Sequence, residues 1–187
     1  ISDAARRRHT YMAASALRTH LSASLSAIAA RTAPAERCII LSGGVDTCGI
    51  LACAKELGIS FAGAITVLTS ADAPDTEFAK AAAAEHQLAH HIVYVTSADL
   101  IDKYLPACVK HLATFDGMTL RNSLVVAAAM QKASELGFKH AIVGDGADEL
   151  FGGYSFMWGM ADDVAGWRVK RDKMCANWTF ATSQLAA

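Results

Sequence analysis

Six consecutive residues, Ser42-Gly43-Gly44-Val45-Asp46-Thr47, place two hydroxyls, two glycines and a carboxylate between an apolar run and an apolar-periodic segment. Glycines without Cβ atoms let the backbone turn sharply and come close to a bound anion. The amides of a following helix's first turn add the positive end of the helix dipole. Such a turn suits a nucleotide's phosphates, and Ser42 and Thr47 add hydroxyl donors. Asp46 would repel a phosphate unless a magnesium ion bridges the carboxylate and the phosphate oxygens. The plainer alternative is a glycine turn with Asp46 as a helix N-cap. A second group, GDGADELFGGY from Gly144 to Tyr154, sets Asp145, Asp148 and Glu149 among four glycines. Clustered carboxylates raise one another's pKa unless a cation neutralises them. Held near Asp46, Asp148 would complete a two-carboxylate magnesium site and leave the other positions to phosphate and water. An acidic surface turn is the alternative there.

Other chemistries find no support in the 187 residues. Neither G-x-x-x-x-G-K-[ST] nor G-x-G-x-x-G occurs, and the seven histidines, His90–His91 included, show no H-E-x-x-H spacing. The five cysteines (Cys38, Cys48, Cys53, Cys108, Cys175) form no C-x-x-C pair and lie mostly in apolar surroundings. They read as reduced thiols of a cytosol-like compartment, not as a disulfide framework or zinc site. A net charge of −1 gives no field for nucleic acid or an anionic membrane. The Arg6-Arg7-Arg8 cluster reads as the solvated face of a first helix, with a binding arm or the remnant of a targeting sequence as the alternatives. No apolar run is long enough to span a bilayer, and a 53% hydrophobic content rich in alanine suits a helical, well-cored domain.

The elements that must position these residues alternate. A helix from about Asp3 to Arg31, with Leu17, Leu21, Leu25 and Ile28 on one stripe, stops at Pro34. Strands are expected at Cys38–Leu41, Phe61–Thr69, His91–Thr96 and His140–Gly144. Helices are expected at Asp46–Glu56, from Asp75 to near Leu88, from Ala98 to about Leu112, and from Thr119 to a stop at Gly137. Past Ser155 the chain, with Trp158, Trp167 and Trp178, reads as helix and loop. Strands alternating with helices imply right-handed β-α-β units, hence an α/β fold with a doubly wound parallel sheet covered on both faces. Both motifs then follow strands and lie at the sheet's carboxyl edge, where ligands bind in such folds.

LSGGVDT resembles the PP-loop of the N-type ATP pyrophosphatases, which split ATP into AMP and pyrophosphate and include asparagine, NAD and GMP synthetases and tRNA thiolases. That resemblance implies the adenine nucleotide alpha hydrolase-like fold. GDGADELFGGY is similar to the signature of the asparagine synthetase C-terminal (synthetase) domain, which β-lactam synthetases share, and the likeness covers about Leu17 to Trp167. By resemblance, Leu41, Ser42, Gly43, Gly44, Asp46 and Thr47 would contact ATP. Ile65, Thr66 and Val67 would flank the adenine or ribose, and Val143 and Gly144 would supply backbone contacts. Asp46 and Asp148 would bind Mg2+. Arg121 would steady the phosphates or the developing charge; near a helix start, where the dipole disfavours it, an arginine also suits an anionic partner. Asp145 stands where many relatives carry a glutamate that serves the second half-reaction. The implied reaction activates a carboxylate as an acyl-adenylate, which ammonia or an amine then attacks.

Two departures qualify the resemblance. The family's N-terminal glutaminase domain opens on a nucleophilic cysteine, whereas here residue 1 is Ile1 and the first cysteine is Cys38, so these residues are not expected to release ammonia from glutamine by that route. The region past Tyr154 resembles only the start of the family's arginine-bearing acceptor segment; Arg168, Lys170, Arg171 and Lys173 would line a pyrophosphate exit or form a solvated face. The expected layout is a helix packing on the core (1–36), an ATP-binding synthetase domain (37–160) and an extension of the same domain (161–187). The expected partners are ATP and a small carboxylate such as aspartate, with a partner chain or second copy completing the acceptor site or supplying ammonia, and no nucleic acid. The expected compartment is the cytoplasm, or an organellar matrix if a targeting segment preceded Ile1. Three readings follow: an adenylating amide ligase, an ATP pyrophosphatase with another acceptor, or a nucleotide-binding or structural subunit of a larger assembly.

Overall fold

Alternation along each strand decides which helices can cover it. In the computed structural model, which describes residues 3–70, 72–159 and 163–176, β1 (Arg37–Ile40) sends Ile39 to one face of the sheet and Cys38 to the other. Packing divides the chain into two compact units, one ending at Val143 and the other beginning at Gly144.

The first unit opens with α1 (Asp3–Arg31) and a 3-10 turn at Pro34–Glu36. After β1 come α2 (Val45–Glu56), β2 (Gly63–Leu68), α3 (Thr76–Glu85) and β3 (Ala89–Tyr94). A π-helical turn (Asp99–Tyr104), α4 (Leu105–Leu112), α5 (Gly117–Glu135) and β4 (His140–Ile142) complete it. All four strands are parallel in the order β3-β2-β1-β4, with Cys38 opposite Gly63 and Arg37 opposite His140. The order reverses between β1 and β4, so the loop leaving β1 lies at the switch point of the sheet. On one face Ile39, Leu41 and Ala64 pack against Leu25 of α1, Leu51 and Ala54 of α2, and Ala79 and Ala83 of α3. On the other, Cys38 and Ile65 meet Ala129 and Ala133 of α5, and Val95, Tyr104 and Ala128 continue that layer. Alanines at these contacts let α3 and α5 lie close to the strands. The α/β parallel sheet with helices on both faces is therefore as the alternation predicts.

Several boundaries differ. β1 runs one residue early, and β3 ends two residues before the expected Thr96, although the Val95 amide still reaches the Leu68 carbonyl at 2.9 Å. The helix expected unbroken from Ala98 starts instead as the π-helical turn, with the Leu105 amide bonded to the Leu100 carbonyl. Pro106 accounts for this, because its ring lacks an N–H and crowds the preceding turn, and a wider turn relieves the crowding. On α1, Leu25 is buried and Leu21 packs on the core, but Leu17 is 45% exposed. The carboxyl half of α1 packs on the core through Leu21 and Leu25; residues 11–20 are all exposed, with Arg18 bridging to Glu56 of α2 at 2.8 Å. Arg7 is exposed, whereas the side chains of Arg6 and Arg8 lie outside the described residues. All five cysteines are free, and burial pushes the Cys38 thiol up to about 11.

The second unit holds α6 (Ala147–Phe151), α7 (Ser155–Trp158) and α8 (Val164–Cys175), the last capped by Asp163 accepting from the Gly166 amide at 2.9 Å. Tyr154 and Phe156 stack at 5.1 Å, and Lys170 sits 4.5 Å over the Phe156 ring. Trp178 lies outside the described residues.

Candidate functional site

The turn between β1 and α2 is held by contacts that only glycine permits. Gly43 has φ +87, and a Cβ there would stand 2.3 Å from the Asp75 carbonyl oxygen and 2.8 Å from the Ala79 nitrogen at the start of α3. Gly44, in extended conformation, is the N-cap of α2, and its amide donates to Ser42 Oγ at 3.1 Å. Asp46 is thus not the cap; it sits exposed in the first turn of α2, where the dipole favours a carboxylate. Thr47 is buried, its Oγ1 lying 3.2 Å from Ser42 Oγ and 3.4 Å from the Gly44 carbonyl. Its side chain braces the turn and does not face outward. The Cys48 thiol points to the Gly43 carbonyl at 3.6 Å, and burial raises its pKa. Val45 is 84% exposed, so the turn itself faces solvent.

Beside it, at the carboxyl ends of β1 and β2, lies a cleft of about 240 Å³. Leu41, Ser42, Thr66 and Val67 of the expected nucleotide contacts line it. Ile65 does not: it is fully buried against Ala129 and contributes its carbonyl, which accepts from the Leu41 amide at 2.8 Å. The far wall is Pro74, Asp75 and Thr76 with Val125, Val126 and Ala129 of α5, none of which the motifs named. The proline-aspartate step after β2 and the apolar run following Arg121 carry the only signal for them. Thr66 is nearly buried; its Oγ1 donates to the Leu41 carbonyl at 2.6 Å and lies 2.8 Å from His90 Nε2. The Thr76 hydroxyl is buried with no hydrogen-bond partner. Arg121 is exposed in the second turn of α5 and makes no ion pair among the described residues. Asp116 caps that helix, accepting from the Thr119 amide at 2.7 Å, and that bond holds the Asp116 carboxyl below its ordinary range. Val143, half-buried, follows β4 and ends this unit.

The other acidic motif belongs to the second unit with Gly144, Asp145 and Asp148. Gly146 (φ 96) starts α6 and Gly152 (φ 73) ends it. A Cβ on Gly152 would stand 2.7 Å from Trp167 Nε1, and one on Gly153 would stand 1.8 Å from Asp148 Oδ1. Gly153 therefore makes room for the Asp148 carboxylate, and Gly152 for the Trp167 indole. Tyr154 donates its hydroxyl to Glu149, and that bond, with burial and the charges of Glu149, Asp148 and Asp145, pushes the phenol up to about 12. Glu149 is thereby engaged within the motif, whereas Asp145 is exposed. Among the described residues no three His, Cys, Asp or Glu side chains gather as a metal cage.

The sequence model of the family described as asparagine synthase matches residues 16–178. The chain belongs to that family. A probable glutamine-hydrolysing asparagine synthetase of Dictyostelium discoideum is 39% identical over 85 residues, 46% of this chain and 15% of that protein. The glutamine-hydrolysing asparagine synthetase of Asparagus officinalis is 34% identical over 128 residues, 63% of this chain and 21% of that protein. The chain thus spans about a fifth or less of the length of these relatives. Among solved structures, an NH3-dependent NAD synthetase from Campylobacter jejuni aligns with 75% of this chain and 60% of its own at a TM-score of 0.49 and 17% identity. No described helix of this asparagine synthase family member is long and apolar enough to cross a membrane.

Proposed function

We propose that the chain is the ATP-handling part of an AMP-forming carbon–nitrogen ligase of the asparagine synthetase type. The observation that carries this is Gly43: its positive φ and its backbone contact with the start of α3 close a tight glycine turn at the sheet's switch point, beside an open cleft. A turn of that kind is a cradle for phosphates, and the cleft beyond Leu41 and Thr66 suits the nucleoside.

In this reading the main chain at Gly43 and Gly44 wraps the phosphates, with the Ser42 hydroxyl beside them. Leu41, Thr66 and Val67 flank the adenine or ribose, and Val143 and Gly144 add main-chain contacts. Thr47 and Ile65 act from beneath, bracing the turn and its strand. The expected magnesium carboxylates lie one in each unit, Asp46 exposed in the first turn of α2 and Asp148 in α6, and each by its chemistry would offer the ion an oxygen. When bound, that ion would neutralise charge building on pyrophosphate. Arg121 lends a fixed positive charge to the same task. A substrate carboxylate oxygen, of aspartate or a similar acid, attacks the α-phosphorus, and the bond to the β-phosphate oxygen breaks to release pyrophosphate. Ammonia or an amine then attacks the acyl carbon, AMP leaves, and the nitrogen sheds a proton, with Asp145 as base or electrostatic anchor.

Calorimetry with Mg-ATP on the wild type and on Asp46→Ala tests the binding, and the substitution should weaken it at least about tenfold. Pyrophosphate release across a panel of carboxylates with ammonia tests the chemistry. Binding without release under any condition would replace the ligase by a nucleotide-binding subunit. No binding at all would end the reading.

A further inference from the structure

His90 lies on β3, two strands away from the turn, yet a side-chain relay connects them. Its register partner on β2 is Ala64, and its ring leans along the sheet to Thr66. A threonine hydroxyl has one proton to give. Thr66 gives it to the Leu41 carbonyl at 2.6 Å, so the 2.8 Å bond to His90 requires the ring to be the donor, with its proton on Nε2. Leu41 is the last residue before the Ser42-Gly43-Gly44 turn. Its amide is tied to the Ile65 carbonyl and its carbonyl to the Thr66 hydroxyl, so both of its main-chain groups are clamped to β2.

We propose that His90 is a positioning residue for the cleft: by donating from Nε2 it orients the Thr66 hydroxyl onto the Leu41 carbonyl and so sets the floor on which the nucleotide turn rests. Two features make the relay demanding. Thr66 is 3% exposed, so water cannot easily replace a lost partner on its hydroxyl. Partial burial, then the neighbouring charges of His91 and Lys80, lower the His90 pKa, so the ring is neutral near pH 7 and the choice of tautomer matters. With the proton on Nδ1, Thr66 would have to donate to His90 and release Leu41.

The inference rests on the cleft being the nucleotide site, and the test separates the two. Nitrogen NMR of the whole chain without nucleotide should find the His90 proton on Nε2; a proton on Nδ1 overturns the relay. His90→Phe keeps a ring and removes the donor, and should speed amide exchange at Leu41 to Gly44 and weaken Mg-ATP binding about tenfold. His90→Gln places an amide nitrogen where Nε2 stood and should restore most of both, whereas His90→Asn, which mimics Nδ1, should not. In a Thr66→Val background His90→Phe should add nothing further. Rescue by Asn and Gln alike, or wild-type exchange in a folded His90→Phe, refutes the proposal. If the wild type binds no Mg-ATP, the functional reading fails, while the NMR and exchange measurements still decide the relay.

Discussion

Gly43→Ala should be among the most damaging single-methyl changes in the chain, and the structure gives the size of the effect. Alanine at φ +87 costs about 1–2 kcal/mol from backbone sterics alone. The new Cβ would also stand 2.3 Å and 2.8 Å from main-chain atoms of Asp75 and Ala79, where no side chain can swing away. Displacing the start of α3 costs about 1–3 kcal/mol more, as overpacking does. The sum, about 2–5 kcal/mol, is a large part of the stability of an ordinary domain. Two nearby controls calibrate it. Gly44→Ala meets only Ser42 Oγ, at 3.3 Å, in an allowed conformation, and should cost under about 1 kcal/mol of stability. Gly49→Ala, inside α2 with nothing within 4 Å, should stabilise by about 0.5–1 kcal/mol. Urea denaturation of the three variants, read as midpoint shifts at constant slope, gives the order directly. If Gly43→Ala is as mild as Gly44→Ala, the turn is not pinned to α3 and the reasoning about its shape is wrong.

Leu51 is 1% exposed in the layer between α2 and the sheet, so Leu51→Ala should destabilise by about 2–5 kcal/mol in the same urea assay. The raised pKa of Tyr154 predicts an alkaline limb. Its contribution is present in full below the free phenol's value near 10 and is lost as pH rises through about 12. Ultraviolet titration of wild type against Tyr154→Phe should show that one late-ionising phenol, and the variant should lose that part of the pH dependence.

Much of the fold was legible because each signal was local and redundant. The apolar runs of β1 and β2 and the stop at Gly58 coincide with the structure because strand burial, period and a positive-φ glycine all agree there. The turn was legible for a similar reason, since Ser42, Gly43 and Gly44 are adjacent in sequence. What escaped depends on pairing across the sheet. Val125, Val126 and Pro74 look like ordinary apolar and loop positions until α5 and the β2–α3 loop are laid over the same strand ends. His90 gives no sign of its link to Leu41, because the link passes through a third strand. Leu17 fits the helical stripe yet is solvated, since periodicity says which side of a helix is apolar and not how far the sheet reaches beneath it.

The strand order also constrains how the chain comes together in time. β1 finds one neighbour, β2, within a short stretch of sequence, but its other neighbour, β4, arrives roughly a hundred residues later. Closing so long a loop before any contact rewards it is slow. The Ser42-Gly43-Gly44 turn hangs from the end of this late-completed strand, so during synthesis three of the four strands would stand with one flank open until residues 140–142 emerge. A nucleotide that grips the finished turn would then act on the last stage of assembly, pulling forward a step that the topology leaves to the end.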